Sequence, residues 1–168
     1  MSAMHAPRPL AFALLPFAAL LAIPAGADPA APKPAPKVDL FGYYYFHEQE
    51  APKGFQDIDH LNLSTIDMKG DEMVDVPLHG AIRLKAKGTG PAVDFQLIAP
   101  ALKGKAFSFT TQEVGGISYR FAGNFVKLGN FPDERPEDEV ILKGRLTKLQ
   151  GGKAVADSDV GFRYTGGD

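Results

Sequence analysis

VILKGRLTKLQGGKAVADSDVGFRY, residues 140–164, consists of two arms joined by Gln150-Gly151-Gly152. In the second arm Val160, Phe162 and Tyr164 alternate with Gly161 and Arg163. That period of two puts one face on a core and the other in water, as in a half-buried strand. Paired glycines between two such runs favour a tight reversal, so the stretch predicts an antiparallel hairpin.

The same alternation recurs upstream. Ile82, Leu84 and Ala86 alternate with Arg83, Lys85 and Lys87; Val93, Phe95 and Leu97 with Asp94 and Gln96; Ile117, Tyr119 and Phe121 with Ser118 and Arg120. Gly70, Gly88, Gly90, Gly104, Gly115 and Gly116 punctuate the runs. The pattern predicts strands over 38–47, 59–66, 73–78, 80–87, 92–98, 105–112, 116–128, 138–148 and 153–164. Residues 130–139, rich in acids and proline, read as a loop. No window after residue 27 carries a sustained helical stripe. The fold class expected is all-β, an antiparallel β-sandwich of about eight strands, with a β-barrel as the alternative.

The first 27 residues read differently. Arg8 precedes an apolar run, Leu10 to Ile23, which ends in Ala25-Gly26-Ala27. A basic residue, an apolar stretch and a small-x-small site make a cleaved signal peptide. The run is shorter than the roughly 20 residues a spanning helix needs, and Pro16 interrupts it. Residues 28–37, DPAAPKPAPK, form a Pro/Ala-rich linker or tail, and residues 38–168 a single β-domain. The expected location is extracytoplasmic, periplasmic or secreted, with no stable membrane span once the leader is cleaved. The chain has no cysteine, so the reading includes neither lipid attachment at the cut nor disulfides.

Composition narrows the function classes. A net charge of −2 with signs interspersed leaves no basic block for phosphate backbones, which argues against nucleic-acid binding. His47-Glu48-Gln49-Glu50-Ala51 approaches a zinc-protease helix but has alanine where the second histidine is required. Gly116-Ile117-Ser118-Tyr119-Arg120 lacks the second glycine of a nucleophile elbow, and Gly88-Thr89-Gly90 lacks the rest of a dinucleotide loop. No cofactor is implied.

Three groups of residues carry chemistry. Phe41-Gly42-Tyr43-Tyr44-Tyr45-Phe46-His47 is the densest aromatic block. As a strand it turns Tyr44 and Phe46 one way and Phe41, Tyr43, Tyr45 and His47 the other. The second set is a row of rings suited to binding a saccharide or protein partner, because tyrosine joins apolar area to a hydrogen-bonding tip. The competing reading is a central strand covered on both faces. His47, His60 and His79, with Met68 and Met73, offer ligands suited to copper, yet no two histidines lie close in sequence. Asp57, Asp59 and His60 suggest a periplasmic hydrolase using carboxylate and imidazole. As strand neighbours, Asp59 and His60 are expected on opposite faces and not as a pair. The acidic loop with Asp133, Glu134, Glu137, Asp138 and Glu139 reads as solvated. The preferred function is an exported non-enzymatic module that binds a ligand or protein partner through the aromatic face and its loops; the hydrolase and the copper-handling protein are the alternatives.

Overall fold

A computed structural model describes residues 38–48, 51–134, 136 and 139–166. The expected leader and the Pro/Ala-rich segment lie outside the described residues. Eight strands follow one another: β1 Gly42–Phe46, β2 Ile58–Lys69, β3 Glu72–Leu84, β4 Asp94–Lys103, β5 Ala106–Thr111, β6 Ile117–Phe125, β7 Val140–Gln150 and β8 Lys153–Thr165. Each pairs antiparallel with the next, and β8 returns to β1, so the sheet closes on itself.

The chain is therefore all-β and antiparallel, and the barrel replaces the sandwich. Alternation marks a strand with one buried face, whether that face meets a second sheet or the inside of its own. What separates the two is the pairing of Tyr43–Phe46 with Thr165–Phe162, a contact between the two ends of the domain that no local pattern encodes. The expected strands 73–78 and 80–87 are one strand, β3. The apparent break is a bulge: Ser64 faces His79 and Ile66 faces Asp75, so Val76, Pro77 and Leu78 oppose Thr65 alone. Within the acidic loop, Phe131–Glu134 makes one turn of helix, α1.

The interior is filled by side chains. Tyr44, Leu61, Leu63, Phe95, Phe107, Phe109, Tyr119, Phe121, Leu146, Phe162 and Tyr164 are buried there. Their rings touch in series: Phe95 on Tyr119 at 5.0 Å between centroids, Phe109 on Phe121 at 5.4 Å, Phe107 on Phe125 at 5.5 Å. Edge-on and offset contacts of this kind favour aromatic pairs beyond the area they bury. The ring of Phe121 lies over Gly123 and Gly144, which face each other across β6 and β7. A Cβ on Gly144 would stand 2.6 Å from that ring and 2.5 Å from the Ala122 carbonyl oxygen.

Both ends are stoppered. At the end where β1 begins, Leu40 and Phe131 are fully buried. The Asp39 N–H donates to the Gly129 carbonyl and the Phe131 N–H to that of Asp39, each at 3.0 Å. The Tyr44 hydroxyl donates to the Leu40 carbonyl at 2.7 Å, and burial pushes this phenol's pKa well above the ordinary tyrosine value. At the other end Phe55 is buried, and Lys148 Nζ meets Asp57 Oδ2 at 2.9 Å beside the Tyr119 ring. Asp57 thus latches the β1–β2 loop to β7. Burial lowers the pKa of the Lys148 ammonium, but the hydrogen bond and charge of Asp57, with Tyr119, outweigh it and leave the group raised.

Gly144→Ala is expected to cost about 1–3 kcal/mol, since the methyl must displace backbone or the Phe121 ring; pairing it with Phe121→Leu should recover part of the loss in thermal or urea melts. Asp57→Ala is expected to destabilise by about 1–3 kcal/mol because Lys148 stays half-enclosed without its partner. The double change Asp57→Leu with Lys148→Met should restore most of that. Equal melting temperatures for Asp57→Ala and the unmodified chain would discount the latch.

Candidate functional site

The aromatic block forms β1 and divides as the alternation requires. Tyr44 is enclosed in the core, and Phe46 stacks on Phe162 at 5.1 Å. Phe41, Tyr43, Tyr45 and His47 stand on the outer wall; Phe41 is 38% exposed, His47 is exposed, and the two tyrosines are half-buried. The covered-strand alternative holds in part, because a neighbour on β2 fills the space between the tyrosines. His60 is 5% exposed, with its ring 4.9 Å from that of Tyr43 and 5.3 Å from that of Tyr45.

A register shift between Ile58 and His60 sets this arrangement. The bulge breaks strict alternation, so Ile58 and Leu61 are both buried while Asp59 and His60 come to the same side. Asp59 Oδ2 lies 2.9 Å from His60 Nδ1, which corrects the expectation that these neighbours diverge. Nε2 of His60 is buried and has no hydrogen-bond partner among the described residues. Across β2 from it, Arg83 on β3 grips both oxygens of Asp94 on β4, each at 2.7 Å. The hydrogen bond from Arg83, more than its charge, holds the Asp94 carboxyl below its ordinary pKa, against the smaller upward push of burial.

Three concavities on the outer wall take in the four sequence-derived binding residues. One, of about 170 Å³, runs past Phe41 and Tyr43 to Asn62 and Ser64 on β2, His79 on β3 and Gln96 on β4. None of these groups carries a formal charge when histidine is neutral. Asn62 Oδ1 accepts from the Ala81 N–H at 2.5 Å, and Ser64 exchanges hydrogen bonds with the Ile66 backbone. A second, of about 250 Å³, holds Tyr45 and His47 with Asp59, Lys85 and Arg163. The third and widest, about 670 Å³, lies over β6–β8 and includes His47, Lys143 and Arg145. Arg145 is already engaged by Asp157 and Asp159 at 2.6 and 3.1 Å.

The four sequence-derived binding residues are thus split, Phe41 and Tyr43 in one groove, Tyr45 and His47 in another. Of the proposed metal ligands, His60 is packed between the tyrosines, His79 lies opposite Ser64, and His47 follows the end of β1. Met68 faces Met73 at the tip of the β2–β3 hairpin. Among the described residues no three histidine, aspartate or glutamate side chains gather to hold a metal ion, and no helix is long and apolar enough to cross a membrane. Asn62, Ser64 and Gln96 were not singled out as binding groups from sequence. Their outward parity is readable there, but their approach to Tyr43 depends on cross-strand register.

Fold and site together define an up-and-down antiparallel barrel with a filled interior and its open groups on the outer wall. Compared with protein-family models, curated proteins and solved structures, the chain finds no match in any of the three.

Because the folded-state pKa of Asp94 is depressed, its pairing with Arg83 stabilises above the unfolded value of about 3.9 and is lost as pH falls through the folded value. The unmodified chain should therefore lose melting temperature more steeply below about pH 4 than Asp94→Asn does. Parallel acid profiles would remove this pair from the account.

Proposed function

We propose that this chain is an exported, non-enzymatic binding module whose ligand is an uncharged saccharide held on the outer wall beside Phe41 and Tyr43. The observation that carries the reading is the pairing of two partly open aromatic rings with neutral hydrogen-bonding groups in one concavity. Sugar rings present apolar C–H faces that lie on aromatic rings, while their hydroxyls need donors and acceptors at the edge. Tyr43 and Phe41 supply the first. Gln96, the Tyr43 hydroxyl, the free amide of Asn62 and His79 supply the second. The absence of formal charge in the lining favours a neutral ligand over an anionic one. The wider groove over β6–β8 is less suited, since its arginine is engaged by two aspartates.

The hydrolase alternative has the Asp59–His60 contact in its favour. Against it, the imidazole is enclosed between two rings, and its second nitrogen is shut away from solvent. A general base must reach the proton it removes.

Titration calorimetry with neutral gluco- and chito-oligosaccharides tests the saccharide reading. Tyr43→Ala and Gln96→Ala should each weaken binding about tenfold, roughly 1.4 kcal/mol, while Lys143→Ala on the far wall leaves it unchanged. No heat with any member of either series, or binding indifferent to Tyr43, would overturn it.

A further inference from the structure

The grooves on either side of His60 share one strand. Tyr43 and Tyr45 are two residues apart on β1, so their side chains leave the same face about 6.6 Å from one another, at about 3.3 Å of rise per residue. Both rings pack on the imidazole of His60, which is 5% exposed. Tyr43 lines the first groove with Asn62 and Gln96, and Tyr45 lines the second with Asp59 and Lys85. The imidazole lines neither and supports the tyrosine of each.

The second groove repeats the chemistry of the first with different groups. Tyr45 is half-buried, so part of its ring is open to the C–H face of a sugar. Asp59 commits Oδ2 to His60 yet remains 42% exposed, an acceptor for a hydroxyl. Lys85 is exposed just past the end of β3 and is a donor. The formal charges in this groove come in opposite signs, Glu48 and Asp59 against Lys85 and Arg163, so they favour no net charge on a ligand. Two neighbouring hydroxyls on one sugar meet both a donor and an acceptor there. The wedge bears on the cost of binding as well. A ring already held by His60 has little rotamer freedom left to lose when a ligand covers it, and ordering side chains is one of the terms that weaken association. One sugar ring covers one tyrosine, so a ligand that occupies both grooves is a chain.

We infer that the Tyr45 groove is a second subsite for the same ligand, which makes that ligand a linear, uncharged oligosaccharide running along β1 across the His60 wedge. The inference rests on the saccharide reading of the Tyr43 groove. It adds the length of the ligand, and it adds Tyr45, Asp59 and Lys85 as contacting residues.

Titration calorimetry with dimers through hexamers of the gluco- and chito-oligosaccharide series reads the length dependence. The hexamer should bind at least tenfold more tightly than the dimer, beyond the few-fold gain that alternative registers on a single groove supply. In Tyr45→Ala that ratio should fall to the few-fold level, and Tyr45→Phe, which keeps the ring, should return most of it. Lys85→Ala changes an exposed side chain outside the tyrosine packing and should lower hexamer affinity about threefold. Two results would overturn the second subsite and leave the Tyr43 groove standing. One is binding that needs Tyr43 but does not rise with chain length. The other is a hexamer advantage that survives Tyr45→Ala, or Lys85→Ala should the first variant fail to fold. Absence of binding at every length would overturn both readings together.

Discussion

Eight strands close around a space about large enough for their own side chains to fill, and here aromatic rings do the filling. An eight-stranded barrel encloses little more than its inward residues or one small ligand. Tyr44, Phe107, Phe109, Tyr119, Phe121 and Tyr164 occupy that space, and Leu40, Phe55 and Phe131 seal the ends. Every other structural choice follows from accommodating those rings. Gly123 and Gly144 yield volume to Phe121, and the Tyr44 and Tyr164 hydroxyls are turned to backbone carbonyls at the end where β1 begins. The interior is thereby occupied, and the groove proposed for binding lies on the outside of the wall.

On that wall the decisive irregularity is small. One register shift at the start of β2 turns His60 outward beside Asp59 and wedges it between Tyr43 and Tyr45. The wedge packs between the tyrosines, and Tyr43 lines one groove with Phe41 while Tyr45 lines another. A bulge of this kind re-aims side chains without altering the fold. The cost is a buried imidazole nitrogen with no partner among the described residues.

Much of the architecture was legible in the residues, and the reasons for the rest are physical. Strand positions follow from alternation, and the inward turn of Tyr44 and outward turn of Tyr43 follow from parity. Closure did not, since β1 meets β8 across the whole domain. Nor did β3 as one strand, because Pro77 and Gly80 look like a break, although the bulge absorbs Pro77 and Gly80 pairs with Leu63. Parity also failed for Asp59 and His60, at the first slip of the β2–β3 ladder. Of the site, the aromatic row was visible, but Asn62, Ser64 and Gln96 join it only through register between strands distant in sequence. The Asp57–Lys148 latch spans 91 positions and has no local signature.

The meeting of the first and last strands also has a kinetic meaning. β1 is five residues long and holds the ring shut through short ladders on either side. It gains its second neighbour only when Lys153–Thr165 has been made and ordered. Without that pairing the sheet has two edges and does not close. Distant pairings of this sort slow acquisition of the native state and lengthen exposure to aggregation. For a polypeptide emerging from its amino end, closure of the ring waits on the barrel's eighth strand.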